Sequence, residues 1–252
     1  MRLAYEELKN ELSAVDDRVG WDFSSVHEVR DPVPWEYGEL VSKYLRETDV
    51  VLDIGTGGGE RFLKLAPFFG RGLGVDVDPD MIARARCNQA AVPADHVTFE
   101  VMDAFHLAAE DASFDVVLNC HCDVAVDEVV RVLRPGGFFI TQQVASRNTE
   151  DLLEAFGWTF ASFGEGWWQP VAVLATAFEN AGCHVDARAE YDVRYWFLDV
   201  ASLLFWLKAV PLPEPFDLDR HWHGVNHILD RYVSDRGIET NEHRELLIVR
   251  KL

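Results

Sequence analysis

An α/β fold with a largely parallel sheet is predicted by the order of the elements along the chain. From residue 50 onward, short apolar runs typical of buried strands alternate with stretches that have helical periodicity. Alternation of this kind favours a parallel sheet with helices on both faces. Because 48% of the 252 residues are apolar, the chain can also fill one large core.

The apolar runs and the turn residues between them set the expected element bounds. Strands are predicted at Val50–Ile54, Gly72–Val77, Val97–Met102, Phe114–Asn119, Phe138–Val144, Cys183–Trp196 and Glu245–Lys251. Helices are predicted at 1–20, 35–46, Arg61–Phe69, Pro79–Gln89, Val124–Leu133, Val171–Ala181, Asp199–Val210 and Asp219–Ser234. The length suits one domain.

Within that single domain, 1–252, we expect three kinds of segment. Residues 1–46 would form N-terminal helices or a lid, and residues 47–145 would form the ligand-binding core. Residues 146–170 and 197–236 would form a helical cap that carries the substrate-binding segments.

The charge of the chain argues against a nucleic-acid partner. Acidic residues outnumber basic ones 43 to 23, giving a formal net charge of −20, whereas nucleic-acid binding depends on Lys and Arg. No apolar run approaches the roughly 20 residues of a membrane-spanning helix, and residues 1–17 lack the apolar core of a secretory signal. The four cysteines are too scattered for a disulfide framework. We therefore expect a cytoplasmic protein with no membrane partner.

A glycine-rich loop separates the first strand of the alternating series from its helix. Residues 50–60 read Val-Val-Leu-Asp-Ile-Gly-Thr-Gly-Gly-Gly-Glu. Glycine permits a tight turn and a close approach of the backbone to a ligand, and the helix start offers free N–H groups. A dinucleotide-binding loop would have glycine at positions 55, 57 and 60, but position 60 is Glu. Glu60 and Asp53 would repel a pyrophosphate and suit an ammonium group.

A second acidic position follows the next predicted strand. Asp76 stands 21 residues after Gly55, at the end of that strand. A carboxylate there can accept hydrogen bonds from both hydroxyls of a ribose. This feature is shared by proteins that bind NAD and by proteins that bind other nucleoside cofactors.

Four segments, taken in order, resemble the motifs of class I S-adenosylmethionine (SAM)-dependent methyltransferases. They are residues 52–59, residues 74–79, residues 102–104 with 113–115, and residues 133–137. The resemblance covers roughly 50–144 and implies SAM as the cofactor. It also implies a Rossmann-like, seven-stranded mixed sheet in the order 3-2-1-4-5-7-6, in which Glu245–Lys251 runs antiparallel between strands five and six.

The resemblance implies a role for several residues around the methionine part of SAM. Gly55 and Gly57 would line that part, with Thr56 between them in the binding loop. Asp53 would orient the amino group, and Asn119, at the end of the fourth strand, would border the same moiety.

The remaining implied contacts concern the adenosine part. Asp76 would hold the ribose hydroxyls, and Val77 follows it in the binding segment. Asp103 would accept a hydrogen bond from the adenine amino group, and the backbone N–H of Ala104 would face the ring. The family often has Leu-Pro-Phe after this point, where this chain has Leu-Ala-Ala at 107–109. That departure should change the shape of the loop.

Two clusters of metal-binding residue types carry competing interpretations. Cys120, His121 and Cys122 follow the fourth strand, but regular strand alternation would put His121 on the other face from the cysteines. His223 and His227 would share a helix face, with His221 nearby, yet no metalloprotease-type Glu accompanies them. We therefore expect no metal at either cluster. The histidines at 221–227 would instead lie on a cap surface or line a pocket.

Aromatic residues gather on both sides of the core segment. They are Trp21, Phe23, Trp35 and Tyr37 before it, and Phe160, Phe163, Trp167 and Trp168 after it. They are consistent either with packing in a core or lid or with an apolar substrate pocket.

The leading hypothesis is methyl transfer from SAM to an O, N or C atom of a small-molecule acceptor. The alternatives are an RNA or protein methyltransferase, a SAM-binding module without catalysis, and an NAD-dependent oxidoreductase. No Asn/Asp-Pro-Pro-Tyr/Phe motif follows the fourth strand, which disfavours methylation of adenine or glutamine amides.

His121 is the candidate catalytic residue. It follows the fourth strand, beside the methyl position that the resemblance implies, and imidazole titrates near neutrality. It would act as a general base, or else as a packed residue without a proton role. His106 is a weaker candidate for the base.

Overall fold

A computed structural model of the chain describes residues 2–164, 166 and 169–252. Trp167 and Trp168, which belong to the predicted aromatic groups, lie outside the described residues. The strands are β1 Glu28–Arg30, β2 Val50–Ile54, β3 Arg71–Asp76, β4 Val97–Val101, β5 Phe114–Cys120, β6 Leu133–Val144, β7 Cys183–Phe197, β8 Val233–Ser234 and β9 Gly237–Lys251.

Helices connect most of these strands. They are α1 Tyr5–Ser13, α2 Tyr37–Ser42, α3 Glu60–Leu65, α4 Pro79–Gln89, α5 Val126–Val132, α6 Glu150–Ala155, α7 Val171–Asn180, α8 Val200–Ala209 and α9 Leu218–Arg231. Single 3₁₀ turns occur at Ala66–Phe68 and Phe160–Phe163. None of the described helices is long and apolar enough to cross a bilayer.

The strand order confirms the Rossmann-like sheet. Within the described residues the order is β1-β7-β9-β6-β5-β2-β3-β4, with β8 paired to β9. The seven predicted strands take the predicted order, and β9 runs antiparallel to β6 while β2, β3, β4, β5 and β6 pair in parallel. The short strands β1 and β8 were not predicted and bring the sheet to nine strands.

The chain divides into two compact units. One, here called the core unit, comprises Pro34–Val144, Trp168–Glu190 and Arg244–Leu252. Its sheet carries an apolar cluster on each face: one contains α5 and α7 with residues such as Val117 and Phe139, and the other contains α2, α3 and α4 with residues such as Leu118 and Ile140. The parallel strands are therefore buried on both sides, as the apolar runs predict.

The other unit, here called the helical unit, comprises Met1–Val33, Ala145–Trp167 and Tyr191–His243. Its apolar cluster is built mainly from α8 and α9. The Asp199 side chain accepts a hydrogen bond from the Ser202 N–H at the start of α8, and Asp217 caps α9 in the same way. These caps satisfy amide groups that a helix cannot pair internally.

Several predicted bounds were wrong for identifiable reasons. β6 begins at Leu133, before the predicted Pro-Gly-Gly turn, because Leu133 pairs with Phe114 and the register then shifts before Val116 pairs with Phe138. β9 begins at Gly237 rather than Glu245, and its first half alternates buried and partly exposed residues as a half-exposed strand does. The helix predicted at 35–46 forms only over Tyr37–Ser42.

Candidate cofactor and active site

The glycine loop turns the chain sharply at the carboxyl end of β2. Gly55, Gly57 and Gly59 have φ values of 70°, 56° and 74°, in the left-handed region that favours glycine. The N–H groups of Gly55 and Thr56 both donate to the carbonyl of Val75, at 2.9 Å each. The loop is thereby fixed to the end of the neighbouring strand β3.

Gly55 also has no room for a side chain. A Cβ atom built at this position would lie 2.5 Å from Cβ of Cys122 and 2.6 Å from its Sγ. The loop therefore approaches the segment that follows β5, where the sequence predicts the reactive end of the ligand. Thr56 is buried directly behind it.

The Asp76 carboxylate is hydrogen-bonded to the glycine loop. Its Oδ2 accepts a hydrogen bond from the Gly57 N–H at 2.9 Å, and its Oδ1 accepts one from the Asp78 N–H at 3.0 Å. A carboxylate has about four acceptor positions, so each oxygen keeps one for a ligand. The predicted ribose-binding residue is thus oriented by the backbone on both sides.

Asp53 is a partly buried carboxylate at the penultimate position of β2. Removal from water raises its pKa to about 6, against the opposing effects of the Thr56 hydroxyl and the Arg61 charge, while Asp76 raises it further. A nearby cationic group of a ligand would stabilise the ionised form of such a carboxylate and so restore its charge.

Exposed apolar surface lies where an adenine ring would bind. Val77 is 70% exposed and Phe105 is 49% exposed. Asp103 lies nearby in sequence and is oriented by the Phe105 N–H at 2.9 Å and the His106 Nδ1 at 3.0 Å. These two contacts lower the pKa of Asp103 and keep it an acceptor. Ala104, which lies between Asp103 and Phe105 in the sequence, is half-buried.

Asn119 is present at the end of β5, but its side chain serves a buried network. Its Oδ1 accepts from the Thr141 hydroxyl at 2.9 Å and from Gln143 Nε2 at 2.7 Å, and its Nδ2 donates to the Asp123 carbonyl at 3.1 Å. Asn119 is 1% exposed. The side chain therefore orders the end of the sheet, and one amide hydrogen remains for any contact with a ligand.

The Cys120–Cys122 segment does not alternate as a strand. β5 ends at Cys120, and His121 has φ of 60°, an unusual value for a residue other than glycine. The regular strand alternation assumed for His121 and Cys122 is therefore absent, because β5 ends at Cys120 and a left-handed residue follows it. The Cys122 side chain lies against Gly55 instead, and its pKa is raised to about 12 by burial and nearby carboxylates.

His121 contacts a residue that the sequence analysis missed. Its Nε2 lies 3.4 Å from Nε2 of Gln142, and its backbone N–H donates to the Gln142 carbonyl at 2.9 Å. Gln142 is 7% exposed and its Oε1 accepts a hydrogen bond from Trp35 Nε1 at 2.8 Å. The His121 ring remains exposed to solvent. No sequence motif marks Gln142; its strand register opposite Cys120 was the available signal.

Arg61 is a second residue that sequence reasoning missed. Its guanidinium lies 5.7 Å from the centroid of the Tyr37 ring, and its charge opposes the rise that burial causes in the pKa of Cys120. The Tyr37 hydroxyl donates to the carbonyls of Asn119 and Ile140, at 3.1 Å each. Tyr37 is thus fixed beside the end of β5, and the exposed Arg61 side chain lies over its ring.

The positive charges around His121 affect its protonation. Partial removal from water, with the charges of Arg244 and Arg61, holds the pKa of His121 well below its usual value. The imidazole is therefore neutral at neutral pH. Burial raises the pKa of the Cys120 thiol, so this residue is also neutral.

The three histidines of α9 lie in different environments. His221 is 7% exposed: its Nε2 contacts Oε1 of Glu214 at 2.9 Å, and its Nδ1 accepts from the Asp217 N–H at 3.0 Å. His223 and His227 share the exposed face, as predicted. Among the described residues, no group of three or more His, Cys, Asp or Glu side chains is arranged to hold a metal ion.

The donor set at the carboxyl end of β2 and β3 suits SAM. Asp53 and Asp76 are carboxylates without a basic partner within ion-pair distance in the described part of the chain, and they match an ammonium group and a ribose. A pyrophosphate would meet these charges and the carboxylate of Glu60 instead. Val77 and Phe105 add exposed apolar surface after Asp76 and Asp103, the residues predicted to contact the adenosine part.

Comparisons with known proteins agree with this arrangement. The profile of a family described as a methyltransferase domain matches residues 52–141. An arsenite methyltransferase of Halobacterium salinarum is 35% identical over 135 residues, which cover 48% of this chain and 34% of that protein. Methyltransferase GfsG of Streptomyces halstedii is 32% identical over 165 residues, covering 58% of this chain and 59% of that one.

A solved structure shares the fold over a longer stretch. A SAM-dependent methyltransferase from Methanosarcina mazei superposes with a TM-score of 0.54 at 17% identity, covering 88% of this chain and 99% of that one. The match with the curated relatives is shorter, since the chain spans 34% and 59% of the two proteins above. Residues 52–141 thus match a methyltransferase-domain family, and the sheet order agrees with the fold of class I SAM-dependent methyltransferases.

Proposed function

We propose that the protein transfers the methyl group of SAM to an O, N or C atom of a small-molecule acceptor. The observation that carries this proposal is the glycine loop, which is tied to Val75 and Asp76 and bordered by the carboxylates of Asp53 and Asp76. The family binds SAM, and an acidic, phosphate-excluding loop suits that cofactor better than NAD.

The cofactor supplies a sulfonium, which is a good leaving group, so the protein's task is to place the acceptor in line with it. Proximity and the exclusion of water can provide most of the acceleration. In this chain Asp53 would hold the amino group, Asp76 the ribose hydroxyls and Asp103 the adenine amino group. His121 would contact the acceptor near the point where the glycine loop, at Gly55, meets Cys122.

The small-molecule class is supported by charge and by relatives. A net charge of −20 disfavours an RNA substrate. Curated relatives include 27-O-demethylrifamycin SV methyltransferase, which is 38% identical over 104 residues and is named for a small molecule. Ribosomal protein L11 methyltransferases are also similar, at 27% identity over 146 residues for one of them, so a protein acceptor is the second candidate.

Two measurements test the proposal. Calorimetry should show binding of SAM and S-adenosylhomocysteine, and no binding of NAD at the same concentrations. Transfer of radiolabel from methyl-labelled SAM should then appear in the small-molecule fraction of an extract rather than in RNA or protein. Tight NAD binding without SAM binding would refute the cofactor, and label confined to protein would refute the acceptor class.

A further inference from the structure

The hydrogen bonds around His121 fix which ring nitrogen carries its proton. The indole Nε1–H of Trp35 can only donate, so the oxygen of the Gln142 amide must face Trp35. The Gln142 NH₂ group then faces Nε2 of His121 at 3.4 Å. Because that group is a donor, Nε2 must be the acceptor and Nδ1 must carry the hydrogen.

This assignment leaves a single outward-facing group on the ring. Nδ1–H of His121 has no partner among the described residues, and the ring is exposed to solvent. The lone pair of Nε2, which a general base would need, is already directed at Gln142. The neutral His121 is therefore arranged to donate a hydrogen bond rather than to accept a proton.

Arg61 offers further donors at the same end of the sheet. Its guanidinium lies over the Tyr37 ring, 5.7 Å from the centroid, and the Tyr37 hydroxyl donates to the carbonyl of Asn119, two residues before His121. No carboxylate of the described residues lies within ion-pair distance of Arg61, although acids outnumber bases in the chain 43 to 23. Other arginines, such as Arg131 with Glu128 and Asp111, are paired. Without a carboxylate partner, Arg61 retains donors suited to a planar oxyanion.

We propose that Arg61 and the Nδ1–H of His121 form a carboxylate-binding position at the carboxyl end of β5, in which Trp35 and Gln142 are positioning residues. The carboxylate has two possible sources, the methionyl group of the cofactor and an acidic acceptor. The first of these rests on the proposed function. The second would narrow the acceptor to molecules that carry a carboxylate near the methylated atom.

The tautomer is tested first, without any ligand. Ring ¹⁵N chemical shifts of His121 at pH 7 should show a protonated Nδ1 and an unprotonated Nε2. In Gln142→Glu, the carboxylate accepts instead of donating, so the proton should move to Nε2. A wild-type ring protonated at Nε2, or at both nitrogens, would contradict the proposal.

Binding of defined probes then identifies the source of the carboxylate. If it belongs to the cofactor, Arg61→Gln should weaken SAM about tenfold or more and leave the affinity for decarboxylated SAM unchanged. If it belongs to the acceptor, Arg61→Gln should leave SAM unchanged, and benzoate should bind to the S-adenosylhomocysteine-loaded protein and shift the His121 signals. Benzamide serves as the uncharged control, and Arg71→Gln, an exposed arginine on β3, as the matched variant.

The outcomes separate this proposal from the proposed function. If Arg61→Gln keeps its affinity for both SAM and benzoate, the carboxylate-binding position is overturned, even though SAM binds well. Benzoate binding that depends on Arg61, in a protein with no affinity for SAM, would uphold the position and refute the cofactor. His121→Asn, which keeps a side-chain N–H donor, should retain more benzoate affinity than His121→Ala; equal loss in both would also count against the assignment.

Discussion

The glycine loop and helix α9 both carry polar side chains, but these side chains are used differently. In α9, both ring nitrogens of His221 are engaged, and the rings of Phe156, Trp158 and Phe216 surround it at 5.6, 5.2 and 5.6 Å. In the loop region, Asp76 keeps acceptor capacity beyond its two backbone contacts. The sequence analysis predicted a cofactor site at the loop, and a cap surface or pocket lining at the histidines of α9. The contacts of His221 serve the packing of α9, whereas the Asp76 carboxylate keeps acceptor positions for a ligand.

Breaking the loop should have the largest effect. In Gly55→Ala, the new Cβ would lie 2.5 Å from Cys122 Cβ at a residue with φ of 70°. Both the clash and the backbone strain oppose the native loop, so SAM binding should fall by at least about 100-fold in calorimetry. Gly136→Ala is the matched control, since Gly136 has φ of 79° and nothing within 4 Å of its Cβ position. SAM affinity retained by Gly55→Ala would place the cofactor elsewhere.

Removing a charge from the loop should have a smaller effect. Asp76→Ala should weaken SAM by on the order of 1.5–3 kcal/mol, because charge-assisted hydrogen bonds to the ribose are lost. Asp76→Asn can still accept from the Gly57 N–H through its amide oxygen, so the part of the loss that comes from loop geometry should be recovered. Asp80→Asn, at an exposed position in the first turn of α4, is the control. Equal SAM affinity in wild type and Asp76→Ala would refute the assignment.

The pH dependence of SAM binding should report on Asp53. Its pKa is about 6 in the folded protein, above the unfolded value near 4, so the folded state holds this proton more tightly. Ionisation of Asp53 therefore lowers the stability of the folded protein as the pH rises through 6. Binding of the SAM ammonium, in contrast, requires the ionised carboxylate. SAM affinity should fall about tenfold from pH 7 to pH 5.

Asp53→Asn provides the control for this titration. The variant should bind SAM weakly with a flat pH profile, and it should be more stable than wild type at pH 7 because no buried charge remains. An unchanged pH profile in Asp53→Asn would show that another group titrates.

The core unit could be predicted from sequence more completely than its site. The strands around Val50–Ile54 and Phe114–Cys120 are continuous apolar runs ended by glycine or polar residues, so their order and burial followed from local pattern and family motifs. The positions of Gln142 and Arg61 depend on strand register and on which side chains remain unpaired. The left-handed backbone of His121 likewise has no signal in residue type. These features are set by tertiary packing, which no local pattern encodes.

The smallest effects should come from the exposed histidines of α9. His223 and His227 are exposed, so His223→Ala with His227→Ala should change the free energy of unfolding by less than about 0.5 kcal/mol. His221→Ala should cost about 2–3 kcal/mol, because two hydrogen bonds and buried packing are lost together. Urea denaturation of the double variant and of His221→Ala measures both changes in the free energy of unfolding. A change of SAM affinity in the double variant, or zinc binding that it abolishes, would mean that the exposed pair has a ligand after all. Equal destabilisation by the double variant and by His221→Ala would show that engagement of both ring nitrogens is no guide to structural importance.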